Sequence, residues 1–231
     1  MDWELAIRRN REALERILAA LCALVGLPDD PAGGREAATL PRHLHAHALR
    51  ILRAAEAAIR RLIVIAAREV VVQPAGVRAD LAALCKGVEP AGAQATLRIP
   101  AFPLLDPLRK YPFDPPRRAS KFMPRICVVG ITEPAPLPVK PVHLPDDPVD
   151  ATGLYRRLLS SRRALENLPA QARRLARGQA RNKLKPRPGR VVPLRMGRPP
   201  GGRKRPIHAV DDILKECHAL ALDVLSPPDT S

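Results

Sequence analysis

Residues 44–66 read LHAHALRILRAAEAAIRRLIVIA, and this stretch decides the fold. Apolar residues recur in it at steps of three and four, the spacing that places side chains on one face of a helix. The arginines Arg42, Arg50, Arg53, Arg60 and Arg61 lie mostly off that face. The pattern predicts a long amphipathic helix whose stripe is Leu44, Ala48, Ile51, Ala55, Ile59, Leu62 and Ala66.

A second amphipathic helix precedes this one and should pack antiparallel to it. Thr39 caps or nearly caps the long helix, and Pro41 fits its first turn. In the earlier helix, Gly26 followed by Pro28 is typical of a helix end. We therefore predict a helical hairpin over residues 2–72. The stripe of the first helix is Leu14, Leu18, Leu21 and Val25.

The middle of the chain, residues 73–148, is predicted to be mostly irregular. Thirteen of the 27 prolines lie in residues 100–148, which excludes regular helix there. Residues 80–86 favour a short helix, and residues 95–99 and 125–132 favour strands that pair as a small β-hairpin. The rest is expected to be extended chain that lies over the helices. Four aromatic side chains are expected to anchor it by packing against them: Phe102, Tyr111, Phe113 and Phe122.

The C-terminal part is predicted to hold three helices interrupted by a basic linker. Residues 150–182 form two basic helices, the first capped by Asp150 or Thr152 and the second starting near Pro169. Residues 183–208 are rich in Pro and Gly and are expected to be disordered, and residues 209–226 form an amphipathic helix. The predicted fold class is mainly α. The buried stripe of the first basic helix is Leu154, Leu158 and Leu165, and that of the last helix is Val210, Ile213, Leu214, Cys217, Ala221, Val224 and Leu225.

The positive charge is concentrated in one quarter of the chain. The formal net charge is +16, and residues 151–210 hold 17 basic residues and one acid, Glu166. The remaining residues are electrically balanced, with 22 basic and 22 acidic side chains. The basic excess is therefore the property of one segment and not of the whole protein.

This segment points to a polyanionic partner. Residues 169–208 carry 13 Lys and Arg, with no acid and no aromatic residue. Such a composition lacks a core of its own and suits contact with phosphates, while the lack of aromatics argues against single-strand stacking. We expect nucleic acid, with duplex DNA favoured, while structured RNA, an anionic membrane surface and acidic protein partners stay open. The predicted contacts are Arg173, Arg174, Arg177, Arg181, Lys183, Lys185, Arg187, Arg190, Arg195, Arg198, Arg203, Lys204 and Arg205.

Residues 195–205, RMGRPPGGRKR, resemble an AT-hook, a short motif with a Gly-Arg-Pro core and flanking basic residues. The resemblance covers these 11 residues only. It implies that an extended Arg198 lies in a narrow A·T minor groove, where the negative potential is concentrated. It also implies that Pro199 sets the chain direction and that residues 203–205 contact phosphates.

Two other interpretations of the chain stay open. In one, it is a structural or adaptor protein that binds a partner or a second copy through its amphipathic helices, with the basic segment as a solvated spacer. In the other, the excess of 31 Arg over 8 Lys reflects a GC-rich, bacterial coding sequence and has no function.

Signatures of other classes of protein are weak or missing in the sequence. No phosphate-binding loop, nucleophile elbow or zinc-protease motif occurs, so no catalytic residue or cofactor is predicted. Four scattered cysteines favour a reducing cytoplasm, and no apolar run reaches the length of a membrane span or fits a signal peptide. The histidines His43, His45 and His47 are expected on a helix surface. Cys217 is expected in the buried stripe of the last helix and His218 beside it but off the stripe, so no metal site is predicted.

Overall fold

The structure is a computed structural model that describes residues 2–27, 39–72, 99–108, 143–185, 189 and 192–226. No helix in these ranges is long and apolar enough to cross a membrane. The elements, in chain order, are α1 (Trp3–Leu24), β1 (Thr39–Pro41), α2 (Arg42–Ala66), β2 (Pro148–Asp150), α3 (Thr152–Glu166), α4 (Leu168–Lys183) and α5 (Ala209–Leu225). The predicted mainly helical class is confirmed.

Helix α2 occupies the centre of the fold. The other four described helices all pack against it, and every residue from Ala54 to Ile65 is buried. A helix that is apolar around most of its circumference is stable only when it is enclosed, and the run Leu62–Ile65 has that character. The predicted stripe is therefore only part of the buried surface, which wraps the whole C-terminal half of α2.

The hairpin of α1 and α2 agrees with the sequence prediction. Leu14, Leu18, Leu21 and Val25 are each at most 3 % exposed. Gly26 ends α1 with a φ of +64°, and the Leu27 amide donates to the Cys22 carbonyl at 2.9 Å. Glycine suits this position because a left-handed backbone is strained for other residues.

The start of α2 differs from the prediction. Thr39 does not cap the helix but lies in β1, which pairs antiparallel with β2 so that Leu40 faces Val149. The amides of Arg42 and His43 donate to the carbonyls of Asp147 and Pro145, each at 2.9 Å. The backbone amides at the start of α2 are thus hydrogen-bonded to a segment more than one hundred residues further along the chain. No local sequence pattern predicts this pairing.

The three C-terminal helices lie close to their predicted positions. Leu154, Leu158 and Leu165 on α3 are at most 2 % exposed, and Pro169 lies in the first turn of α4. The Asp150 carboxylate accepts from the amide and hydroxyl of Thr152 at 2.9 and 2.6 Å. These two bonds lower the pKa of Asp150.

The predicted stripe of α5 is buried at Val210, Leu214, Cys217 and Ala221, whereas Leu225 is 36 % exposed. The Asp211 carboxylate closes the first turn of this helix by accepting from the amides of Ile207 and His208 at 3.0 and 3.2 Å.

Several predicted elements fall outside the described residues. These include the short helix at 80–86, the strand at 125–132, nearly all of the strand at 95–99 and the anchors Tyr111, Phe113 and Phe122. The strand pair that the structure describes, β1 with β2, is a different one. Phe102 is described and 3 % exposed, as expected of an aromatic anchor. The division of the chain into five stretches stays a prediction, although helices from both ends share one core.

The predicted disordered linker needs correction over residues 192–205. This segment has no regular secondary structure, yet it lies against α2 with Leu194 only 2 % exposed and Pro199 buried. Gly201 has a φ of +78°, and a Cβ at this position would lie 2.7 Å from the amide nitrogen of Ala54. Its few apolar residues and its glycines dock on a core formed by other elements, so the segment needs no core of its own.

Gly201→Ala is expected to destabilise the protein by at least about 2 kcal/mol, because a positive φ and a backbone clash act together. Chemical denaturation of the full chain measures this change. Gly178→Ala is the matched control, since Gly178 is helical and a Cβ there meets nothing within 4 Å. That change should stabilise the chain by roughly 0.5–1 kcal/mol. Equal stability of the two variants would contradict close packing of residues 192–205 on α2.

Candidate nucleic-acid interface

Helix α4 carries a basic arc on the side opposite its buried residues. Leu168, Ala172 and Leu175 are each at most 4 % exposed and face the core. The predicted contacts on this element are exposed to solvent, and the arginines 173, 177 and 181 follow one another at intervals of one helical turn. They are Arg173, Arg174, Arg177, Arg181 and Lys183, and Lys185 is exposed just after the helix end.

The basic segment that follows exposes a second set of cations. Arg198, Lys204 and Arg205 are exposed, while Arg195 and Arg203 are partly buried. The Arg195 side chain donates from Nε to the Arg198 carbonyl at 2.8 Å, which fixes the loop from within.

The geometry of residues 197–202 is turned rather than extended. Gly197 has a φ of +75°, Pro199 is buried, and the Gly202 amide donates to the Pro199 carbonyl at 3.0 Å. Arg198 therefore projects from a turn between two glycines of positive φ, with its neighbour Pro199 against the protein. The resemblance to an AT-hook stays a prediction, and extended insertion into a minor groove requires this turn to open.

One short chain segment holds both sets of cations in place. Arg174 donates from Nη2 to the Phe102 carbonyl at 2.8 Å, and the Asp106 amide donates to the Pro193 carbonyl at 2.9 Å. Phe102 and Asp106 are four residues apart, so the two anchor points are separated by at most about 14 Å. Arg174 of the basic arc and Pro193 near the start of the ordered basic segment are therefore anchored at points no more than about 14 Å apart.

Eleven of the thirteen predicted contacts are described, and we call them the basic face. Within the described ranges, no member of this set makes an ion pair with a carboxylate. Arginines elsewhere are paired, as Arg11 is with Glu15 and Arg162 with Glu166. Arg187 and Arg190 lie outside the described residues. The basic face consists of Arg173, Arg174, Arg177, Arg181, Lys183, Lys185, Arg195, Arg198, Arg203, Lys204 and Arg205.

Beneath this surface lies a buried ionic cluster that the sequence analysis missed. The Asp106 carboxylate accepts from Arg61 Nη2 at 3.0 Å and from the Arg195 amide at 3.3 Å, and it lies 3.4 Å from Arg60 Nη1. The side chains of Arg61 and Asp106 are both fully buried. Arg60 also donates from Nε to the Pro103 carbonyl at 3.0 Å and stacks over Phe102.

Glu56 is the second anion of the cluster. Its carboxylate accepts two bonds from Arg157 of α3, at 2.8 and 2.9 Å, and lies 3.5 Å from Arg60 Nη2. Hydrogen bonding to Glu56 raises the pKa of Arg157. Two carboxylates therefore neutralise part of the charge of three guanidinium groups, and α2 is tied to α3 and to residues 102–106.

The placement of Arg60 and Arg61 corrects the prediction that they lie off the buried face. They are 5 % and 0 % exposed. Two features of the sequence accompany this arrangement, although neither specifies which residues pair. The pair Arg60-Arg61 directly precedes the apolar run Leu62–Ile65, and Asp106 is the lone acid between Glu89 and Asp114.

His218 connects the cluster to the basic segment. Arg61 donates from Nε to His218 Nδ1 at 3.2 Å, and His218 also forms a hydrogen bond with the backbone of Gly197. Burial and the neighbouring Arg61 charge lower the pKa of His218. The neutral ring fits both partners, because it accepts from Arg61 at one nitrogen and can donate from the other.

The remaining candidates for chemistry do not assemble into a site. Cys217 is fully buried, and burial raises its pKa to about 12, so the thiol is held in its unreactive form. The rings of His47 and His208 meet edge to face with centroids 5.5 Å apart. Among the residues that the structure describes, no three His, Cys, Asp or Glu side chains converge as metal ligands do.

Asp106→Asn should lower the free energy of unfolding by about 3–5 kcal/mol, because it leaves two buried guanidinium groups without their shared anion. Urea denaturation measures the loss. Asp212→Asn removes an exposed carboxylate from the first turn of α5, and the expected loss there is about 0.3–1 kcal/mol. A comparable loss of unfolding free energy in the two variants would show that the Asp106 charge does not stabilise the fold.

The lowered pKa of His218 predicts a loss of stability on acidification. The unfolded chain takes up a proton at His218 near its ordinary pKa of 6.5, before the folded chain does. Stability from this group is therefore complete above pH 6.5 and falls as the pH is lowered below it. His218→Gln, which retains a donor and an acceptor, should remove this component of the pH dependence. Parallel curves of unfolding free energy against pH for the parent protein and the His218→Gln variant would exclude a contribution of His218 to the pH dependence.

Comparison of the chain with protein-family models, with curated proteins and with solved structures finds no match in any of the three.

Proposed function

We propose that this protein is a non-enzymatic nucleic-acid-binding protein that binds duplex DNA in preference to other polyanions. The observation that carries the proposal is the basic face, eleven described cations without a carboxylate partner among the described residues. Like charges held together on a folded surface repel one another. A polyanion relieves that repulsion and releases its own counterions on binding.

The spacing of the α4 arginines supports contact with a phosphate backbone. Arg173, Arg177 and Arg181 rise along the helix by about 6 Å per step, or about 12 Å in all. Duplex DNA presents one negative charge per roughly 1.7 Å of axis, so about seven phosphates fall within that length. Each arginine therefore has several phosphates within reach, without a requirement for a particular base sequence.

The chemistry of the segment favours a duplex over a single strand. Residues 169–208 contain no aromatic side chain, whereas single-strand binding surfaces stack bases on aromatic rings. Arg198, exposed between Gly197 and Gly201, is the side chain we assign to groove contact. Part of the charge also stabilises the fold, because Arg181 and Lys183 in the last turn of α4 complement the helix dipole.

The adaptor interpretation loses its original surfaces. The stripes of α1 and α2 are packed inside the chain, with Leu14 and Ile59 fully buried, so they bind each other rather than remain open to a partner helix. A protein partner would therefore need another surface.

Substitution of single side chains tests the DNA-binding proposal better than deletion of the basic segment, because deletion would also remove the buried Leu194 and the contacts to Asp106. Arg173, Arg177 and Arg181, all changed to Gln, should reduce the salt dependence of binding to a duplex. The slope of log K against log salt should fall in magnitude by up to about 2.7, since each phosphate contact contributes about 0.9. Fluorescence anisotropy with a labelled duplex measures it.

The matched control changes Arg8, Arg16 and Arg163 to Gln. These side chains are exposed on α1 and α3 and make no ion pair with a described residue, so the net charge falls equally. The control should retain the slope of the parent protein. An equal loss in both triple variants would mean that only net charge matters, and a flat slope in the parent protein would remove the proposal.

A further inference from the structure

A groove runs along one edge of the basic face, between α4 and residues 103–105. Its volume is about 560 Å³. The groove has two kinds of wall, an apolar one and a polar one. The apolar wall is formed by Pro103, Leu104, Leu105 and Leu175, and the polar wall by Arg174, Gln179, Arg181, Asn182 and Lys185.

The groove offers apolar surface that contact with a phosphate backbone does not use. Leu105 is 48 % exposed and Leu104 is partly buried, so both offer apolar surface to a ligand. Phosphates interact with cations and gain nothing from leucine side chains. A ligand matched to this groove therefore carries apolar groups as well as negative charge.

The three cations of the groove are spread along its length. Arg174 and Arg181 are separated by about 10 Å along the axis of α4, and Lys185 follows one turn later. A single carboxylate or phosphate head group would need cations that converge on one point. Cations spaced over about three turns instead match acidic side chains that recur along a partner helix.

Gly178 lies in the groove between Arg174 and Arg181 and leaves room for close approach. A Cβ at this position meets nothing within 4 Å. Glycine in a helix interior costs roughly 0.5–1 kcal/mol relative to alanine, so its presence here has no evident structural benefit. It permits a second helix to approach the α4 backbone.

We propose that this groove binds an acidic amphipathic helix of a partner protein. The apolar stripe of that helix packs on Pro103, Leu104 and Leu105, in the manner of helix-in-groove recognition. Its acidic flank pairs with Arg174, Arg181 and Lys185. This inference goes beyond DNA binding and does not depend on it, although a bound helix would compete with DNA for these three cations.

The experiment uses the full chain and a fluorescein-labelled synthetic peptide of 18 residues. The peptide carries Leu at helical spacing on one face and Glu on both flanks. Two matched peptides replace every Glu by Lys or every Leu by Ser. The acidic amphipathic peptide should bind with a stoichiometry of one, and both controls should bind at least ten-fold more weakly. Binding of the Leu-to-Ser peptide with equal affinity would overturn the proposal, since charge alone would then explain it.

Gly178→Trp locates the site, because the open space above Gly178 accepts an indole that fills the groove. This change should weaken binding of the acidic peptide at least ten-fold. Gly153→Trp is the matched control, since Gly153 is also helical with open space around its Cβ position, and it should leave affinity unchanged. Circular dichroism confirms that both variants are folded.

Three further results would overturn the proposal. They are equal peptide affinity in the two tryptophan variants, no peptide binding by the parent protein, and binding of sodium dodecanoate but not of the peptide at this groove. The last would identify the occupant as an acyl chain. DNA binding is measured separately on the same variants, so failure of the groove proposal leaves the DNA proposal standing.

Discussion

The buried ion pair between Arg61 and Asp106 is the interaction on which the rest of the structure depends. A guanidinium group fully enclosed in the core is stable only if its charge and its donors are satisfied. Arg61 meets this demand through Asp106, the Ala57 carbonyl at 2.7 Å and His218. These partners come from three parts of the chain, so one buried charge fixes residues 102–106, the segment at Arg195 and helix α5 around the centre of α2.

This arrangement also helps to explain why the cations of the basic face make no ion pair with a described carboxylate. The carboxylates of Glu56 and Asp106 are directed inward to Arg60, Arg61 and Arg157. Residues 169–208 contain no acid of their own, so no local carboxylate is available for the exposed arginines of α4. The fold thus neutralises part of its buried positive charge and leaves the basic face cationic. The Arg195 amide links the buried cluster to the basic segment by donating to Asp106.

Local patterning predicted the helices but not their environment. The stripes of α1, α3 and α5 are buried as expected, because a helix with one apolar face buries that face wherever it packs. The same reasoning placed Arg60 and Arg61 toward solvent, since charged residues usually lie there. Their burial depends on Asp106, 45 residues further along the chain. The predictions that Thr39 caps α2 and that residues 192–205 are disordered are wrong for the same reason. Their partners, Asp150 and α2 respectively, are remote in sequence.

The amino-acid sequence by itself determined the helices, the glycine that ends α1 and the concentration of positive charge after residue 150. Each of these follows from residues that are close together in the chain, through side-chain periodicity, backbone preference or composition. Only the tertiary structure decided which arginines are enclosed, that the described part of the basic segment is ordered, and that an apolar groove borders the basic face. Those properties arise from contacts between residues distant in sequence, whose pairing no local pattern specifies.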